Sequence, residues 1–210
     1  MPISEIHTES GLLLTIPILT QMKKIEGWLE EEEADLLIAA AMRALTTLPK
    51  GIAVVEVGSY CGRSTVVLGS VVKSLGVEAK VYAIDPHDGM VGALDQGIHR
   101  GAPTLDKFQN NIADAALTNV VEMIPQHSFE VLWNKPIGFL LIDGLHDYAN
   151  VARDFYHFEQ WVVAAGYIAF HDYADYYPGV KMFVNELLRT DRYEVVHCTL
   201  SMMVVKKHGE

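Results

Sequence analysis

Lysine and arginine are in short supply: 16 bases stand against 27 acids, a formal charge of −11 over 210 residues. A surface of that sign repels nucleic-acid phosphates and anionic membrane headgroups, so neither is expected as a partner and small molecules are. Cysteine is scarcer. Only Cys61 and Cys198 occur, too few for a disulfide framework, and the first residues lack the basic start and compact apolar core of an export signal, Leu12-Leu13-Leu14 notwithstanding. No apolar run approaches the roughly 20 residues that span a bilayer. A reducing cytoplasm is the expected compartment. Internal repeats and low-complexity segments are absent as well. What the chain does have is 50% hydrophobic residues, enough for one good core. The expected organisation is an N-terminal helical extension over 1–48 and one α/β domain over 49–210.

A lysine is also missing where it would have decided the ligand. An apolar run predicts a strand over 52–57, and it ends in Glu56-Val57-Gly58-Ser59-Tyr60-Cys61-Gly62-Arg63-Ser64-Thr65 ahead of a helix over 63–75. Glycines at such a turn let the backbone bend sharply and come close to a ligand. A phosphate-cradling Walker loop needs four residues between its glycines and then Lys-Ser/Thr; this turn has three, and Arg63 follows. A dinucleotide fingerprint needs Gly-x-Gly-x-x-Gly, but Tyr60 and Arg63 occupy two of the required positions.

Downstream, strand and helix signals alternate. Strands are predicted over 80–84, 120–124, 137–142 and 167–170, helices over 104–116, 149–162 and 180–188, and two close strands over 193–197 and 202–206 that should form an antiparallel hairpin at the sheet edge. Upstream, 28–47 reads as an amphipathic helix with Glu30 to Glu33 as a solvated first turn. The polar stretch 86–103 is long for a plain connection and is a candidate lid.

In an open parallel sheet, ligands bind beyond the carboxyl ends of the strands. Those ends carry Glu56/Gly58, Asp85, Gln126-His127-Ser128, Asp143 with His146, and His171-Asp172. Asp85 sits where a carboxylate can accept both hydroxyls of a ribose. Asp143 and Asp172 end neighbouring βα units and could converge on one hard cation such as Mg²⁺, with His171 or water as a further ligand. A cation there would lower the pKa of a substrate hydroxyl and position its oxygen, with Asp143 at the reaction centre and His146 as the base that takes the proton. Helix caps and ion pairs are the structural alternative for these acids.

Four segments together resemble one family: Glu56 to Thr65, Ala83-Ile-Asp-Pro-His-Asp-Gly89, Ile142-Asp-Gly-Leu-His-Asp-Tyr148 and Gly166-Tyr-Ile-Ala-Phe-His-Asp-Tyr173. They are similar to the bacterial class I methyltransferases of the "methyltransferase domain 24" type, related to macrocin-type sugar O-methyltransferases and cephalosporin-hydroxylase-like proteins. The resemblance implies a Rossmann-like sheet of seven strands, mostly parallel with the C-terminal hairpin antiparallel and helices on both faces. It also implies S-adenosylmethionine as methyl donor. Carried onto this sequence, Glu56, Gly58, Tyr60, Gly62 and Ser64 surround the methionine end, Asp85 the ribose and Ser128 the adenine, with Asp143 closing the cofactor site. The resemblance also implies metal ligands from an Asp-x-x-His segment and an acidic pair after the next strand, with that His as base, places on which Asp143, His146 and Asp172 fall. His171 stands where the sugar enzymes have an acid, and the expected metal set is Asp143, His171 and Asp172. Trp28, Tyr148, Tyr176 and Tyr177 flank the inferred acceptor pocket.

The expected reaction is O-methylation of a small hydroxylated molecule, sugar or phenol-like. The alternatives are a cofactor-binding protein without transfer, a metal-free methyltransferase with His146 alone, and an ATP-using hydrolase or kinase. The apolar segment Leu12–Leu19 has no evident place in the sheet core and is a candidate cover for a neighbouring subunit in a homo-oligomer.

Overall fold

Residues 13–209 are described by the computed structural model. Helices α1 (Thr15–Met22) and α2 (Glu31–Thr47) precede strand β1 (Ala53–Val57), helix α3 (Arg63–Leu75) and β2 (Val81–Ile84). A hairpin of β3 (Met90–Ala93) and β4 (Gly97–Arg100) comes next, then α4 (Leu105–Asp114), β5 (Val121–Ile124), β6 (Ile137–Ile142), α5 (Tyr148–Glu159), β7 (Val162–Phe170) and α6 (Pro178–Leu188). Strands β8 (Tyr193–Thr199) and β9 (Met202–Lys207) end the chain.

Seven strands form one sheet in the order β5-β2-β1-β6-β7-β9-β8, parallel except where β9 runs against β7 and β8. The expected Rossmann-like arrangement with its antiparallel edge hairpin is present. From β1 the chain moves outward to β2 and β5, then returns to β6 and β7. The order therefore reverses between β1 and β6, and the crevice opens there. Val57 pairs with Ile142, and the Asp143 N–H donates to the Val57 carbonyl at 2.8 Å, so the Gly58 turn and Asp143 leave the sheet side by side.

Alternation along the central strands divides the core between the two faces. Val55, Val57, Leu140, Ile142, Ile168 and Phe170 pack with Phe155 and Phe158 of α5 and Phe183 of α6. Val54, Phe139, Leu141 and Ala169 face the other way, against Leu37, Ala41 and Ala44 of α2 and Val67, Leu68 and Val71 of α3.

Three expectations change. The helix placed over 28–47 begins at Glu31, leaving Trp28 in the preceding loop. The polar stretch after β2 is not structureless: Met90 pairs with Arg100 and Ala93 with Gly97. The Leu13–Leu19 segment has a place on its own chain, because α1 buries Ile18 and Met22 in the cluster that α2 and α3 form; residues 1–12, and Leu12 with them, lie outside the described part. No helix among the described residues is long and apolar enough to cross a membrane.

Candidate active site

A cavity of about 850 Å³ lies beyond the carboxyl ends of β1, β2, β6 and β7. Gly58, Tyr60, Asp85, Ser128, Asp143, His146, His171 and Asp172 are all on its wall. Glu56, Gly62 and Ser64 are not.

Glu56 is sealed beneath the turn, where the hydroxyls of Ser64 and Thr65, in the first turn of α3, pair with its two oxygens. It holds the helix against the strand rather than facing the cavity. Burial pushes its carboxyl up to about 8; the two hydroxyls offset only part of that, and the charges of Asp143 and Asp85 add to it. The folded value lies above the ordinary 4.5, so folding takes up a proton at neutral pH. The stability from this group is complete below about 4.5 and lost as pH rises through about 8. Wild type should therefore lose roughly 2 kcal/mol or more relative to Glu56→Gln between pH 6 and 8.5 in urea unfolding. A difference that stays constant with pH would mean that Glu56 folds ionised.

The turn above it is built by backbone conformation. Gly58 has φ +90° and Gly62 φ +89°, and Tyr60 between them is left-handed at φ +46°. His87 (φ 56°) and Asp172 (φ 59°) share that strained region after β2 and β7. Asp85 braces the turn: Oδ2 accepts from the Tyr60 N–H at 2.8 Å and Oδ1 from the His87 N–H at 2.6 Å. Tyr60 sends its hydroxyl to Glu26 (2.9 Å) and lies against Trp28, ring centres 5.2 Å apart. Arg63, which takes the place of a Walker lysine, grips the N-terminal loop by donating to the carbonyls of Leu29 (2.9 Å), Ile25 (3.1 Å) and Gly27 (3.2 Å). Trp28 is thereby held at the cavity although 62% of it is exposed.

At the β6 and β7 ends, four groups crowd together. His171 is buried with Nδ1 3.0 Å from Asp143 Oδ1 and Nε2 3.1 Å from Glu33 Oε2. Burial works against its charge, but the Asp143 carboxylate and the bonds to Asp143, Asp172 and Glu33 more than reverse this and raise it well above the ordinary value; it stands as an imidazolium. Burial likewise tends to raise Glu33 and Asp143. Bonds from His171, Ser201 and the Glu30 backbone hold Glu33 at about 2, and the charge and hydrogen bond of His171 hold Asp143 at about 2.

The expected metal set requires a correction here: both nitrogens of His171 are taken by carboxylates, so it has none to offer a cation. The histidine that stands beside Asp143 and Asp172 with open nitrogens is His146. Atoms of Asp143, His146 and Asp172 lie within 4.8 Å of one another. His146 Nε2 is 3.0 Å from Asp172 Oδ2 and 3.7 Å from Asp143 Oδ1, yet neither ring nitrogen has an aligned hydrogen-bond partner. Two carboxylates and a half-buried imidazole whose ring nitrogens have no partner among the described residues are a donor set that a divalent ion fits.

Two site residues escaped the sequence reading. Glu33, expected in a solvated first turn, is buried and receives the Ser201 N–H at 2.9 Å and hydroxyl at 2.6 Å besides His171. Its signal was the Glu30-x-x-Glu33 spacing of a capping box, in which Glu33 accepts from the Glu30 N–H. Asp154 bonds the Ser128 hydroxyl on the cavity wall, and burial raises its carboxyl despite that bond and the nearby Arg153. An acid among Val151, Phe155 and Phe158 on the apolar face of α5 was the clue. Tyr148 points elsewhere, its hydroxyl donating to Glu186 at 2.7 Å.

Comparison with known proteins agrees with this architecture. The family model Methyltransf_24, a methyltransferase domain, matches residues 55–173, more than half of the chain. Among solved structures the chain is similar to the O-methyltransferase NovP, with 16% identity and TM-score 0.72 over 86% of this chain and 81% of that one. It is also similar to the Podospora anserina methyltransferase PaMTH1 in its SAH-bound form (10%, TM-score 0.65, 93% and 88%). A third is CalS11, the TDP-rhamnose 3′-O-methyltransferase of calicheamicin biosynthesis (12%, TM-score 0.60, 91% and 92%). With the glycine turn and Asp85 set at the switch point of a seven-stranded sheet, and the family model running from β1 to the end of β7, the chain belongs to the methyltransferase domain family and is an S-adenosylmethionine-dependent methyltransferase.

Proposed function

We propose that this enzyme moves a methyl group to a hydroxyl of a small molecule, assisted by a divalent ion held by Asp143, His146 and Asp172. The observation that carries this reading is the adjacency of the cofactor turn and the cation cluster: Gly58 and Asp143 leave neighbouring strands at one register, so methyl donor and activated hydroxyl would meet in one cavity. S-adenosylmethionine, when bound, supplies a methyl carbon on a positively charged sulfur. A divalent ion beside an acceptor hydroxyl lowers its pKa and fixes its oxygen. The chain's own residues do the rest. Gly58 and Tyr60 shape the methionine end, Asp85 offers its carboxylate to the ribose, and Ser128 with Asp154 lines the adenine side. His171 and Glu33 keep the Asp143 carboxylate ionised and aimed inward. The acidic net charge and the carboxylate-lined cavity support a small-molecule acceptor over nucleic acid.

One observation favours a second reading, a metal-free transfer. Asp172 lies 3.0 Å from His146 Nε2 while Nδ1 is free, an arrangement in which Nδ1 could accept the hydroxyl proton.

Calorimetry on chelator-treated protein comes first. S-adenosylmethionine should bind without metal, and Asp85→Ala should weaken it by about tenfold or more, since a carboxylate facing the ribose and the brace on Tyr60 are lost together. Failure to bind would remove this assignment of the cofactor site. With an acceptor in hand, turnover should vanish in chelator and return with Mg²⁺ or Mn²⁺; turnover that persists would leave the His146 reading.

A further inference from the structure

Beyond the reaction class, the cavity wall restricts which acceptors can enter. Five of its carboxylates have been placed above: Glu33, Asp85, Asp143, Asp154 and Asp172. Two more, Glu30 and Asp88, line it as well. Against these stands a single lysine or arginine, Arg153, among the described residues. Its guanidinium is already engaged, 4.3 Å over the Phe129 ring and with Nε 3.7 Å from Asp154 Oδ1. Residues 1–12 contain no lysine or arginine that could supply another.

Anionic groups are normally gripped by Arg, Lys or the N–H groups of a helix N-terminus. The helix ends at this cavity offer little. That of α2 is occupied by the Glu30 and Glu33 carboxylates of its capping box, that of α3 belongs to the cofactor turn, that of α5 is capped by Asp147 through the Asn150 N–H at 3.1 Å, and that of α6 starts with Pro178, which removes one donor. Even with a divalent ion set against Asp143 and Asp172, Glu33 bonded to His171, Glu30 capping α2 and Asp88 bonded to the Met90 N–H, carboxylates on the wall far outnumber its one arginine. What the wall does offer is aromatic surface. Trp28 (62% exposed), Tyr176 (56% exposed), Tyr177 and Leu200 all line the cavity, Tyr177 against the His146 ring and Tyr176 bonded to Asp172.

We infer that the methyl acceptor is an uncharged or cationic hydroxylated molecule with a planar apolar body, and that acceptors carrying a phosphate or carboxylate are turned away. Flat rings stack on Trp28 and the tyrosines, and an amine gains from both the ring faces and the surrounding acids. This separates the chain from CalS11, whose named acceptor is a nucleotide-linked sugar. The inference rests on the O-methyl-transfer reading.

The test uses three catechols of one size and different charge, 4-ethylcatechol, dopamine and 3,4-dihydroxyphenylacetate, with TDP-rhamnose as a fourth probe. Each is titrated by calorimetry into the full chain saturated with S-adenosylhomocysteine and Mg²⁺. The neutral and cationic catechols should bind at least about tenfold more tightly than the two anions. In the Glu30→Gln/Asp88→Asn double variant the gap should narrow. Anions that bind as well as the others, or a set in which none binds, would overturn the inference. The same compounds are then incubated with S-adenosylmethionine. Binding in the expected order without methylated product would leave the charge rule standing and sink the transfer reading; product from the anions alone would do the reverse.

Discussion

Gly58→Ala is expected to lose several kcal/mol of stability, whereas Gly51→Ala, at nearly the same backbone angle, should lose only about 1. Both glycines are left-handed, φ +90° and +84°. A methyl group at Gly51 meets nothing within 4 Å, so that variant reports the conformational penalty alone. At Gly58 the added carbon would stand 1.9 Å from the Asp143 carbonyl oxygen and 2.8 Å from the Gly144 nitrogen. These are backbone atoms and cannot swing aside. Relief requires parting the ends of β1 and β6, where the Asp143 N–H bonds Val57, and losses above about 4 kcal/mol come from such forced rearrangements. Urea unfolding of the two variants checks this, and any folded Gly58→Ala should show no calorimetric binding of S-adenosylmethionine. If the two variants lose the same stability, the clash is not what makes Gly58 necessary.

The second large effect separates catalysis from stability within one cluster. On the proposed metal-assisted mechanism, Asp143→Asn and Asp172→Asn should each lower kcat/KM by about 10³, since each removes a carboxylate from the proposed cation site and such assistance amounts to several kcal/mol. Asp143→Asn should also destabilise the fold, by about 3 kcal/mol and more than Asp172→Asn, because Asp143 Oδ1 is 3.0 Å from Nδ1 of the buried His171 imidazolium whereas Asp172 Oδ2 is 3.4 Å from it. After Asp172→Asn, His171 keeps both Asp143 and Glu33. Denaturation midpoints and turnover measured on both variants decide the matter. Equal destabilisation would mean that Asp172 carries as much of the His171 charge as Asp143 does.

The parts of this site that could be read from the sequence are those encoded over short distances. The strand before Gly58 is an unbroken apolar run because β1 is covered on both faces, and a glycine turn must follow where the chain reverses into α3. Asp85, Asp143 and Asp172 were placed by the same logic of strand ends. The exchange of His171 for His146 could not be read that way. Spacing puts both histidines at the same end of the sheet, but which one keeps its nitrogens open beside Asp143 and Asp172 depends on the left-handed turn at Asp172, φ 59°, and on Glu33 arriving from the far side of the chain. Glu33 itself lies among four consecutive acids, and nothing local marks it as the one that turns inward. The Met90–Arg100 hairpin was hidden for another reason. Its strands are four residues each and polar, so they lack the alternation that a half-buried strand shows.

Glu33 has one further consequence, for the order in which the protein becomes competent. The cofactor half of the site is assembled from neighbours in the chain: Glu56 bonds Ser64 and Thr65, and Asp85 bonds Tyr60, across at most 25 residues. The corner that sets the charge of Asp143 closes over 138 residues to His171 and 168 to Ser201, and such long loops are slow to close. A nascent or frayed chain thus completes its glycine turn well before it can steady Asp143, and that corner is finished only when the segment between β8 and β9 brings Ser201 to Glu33.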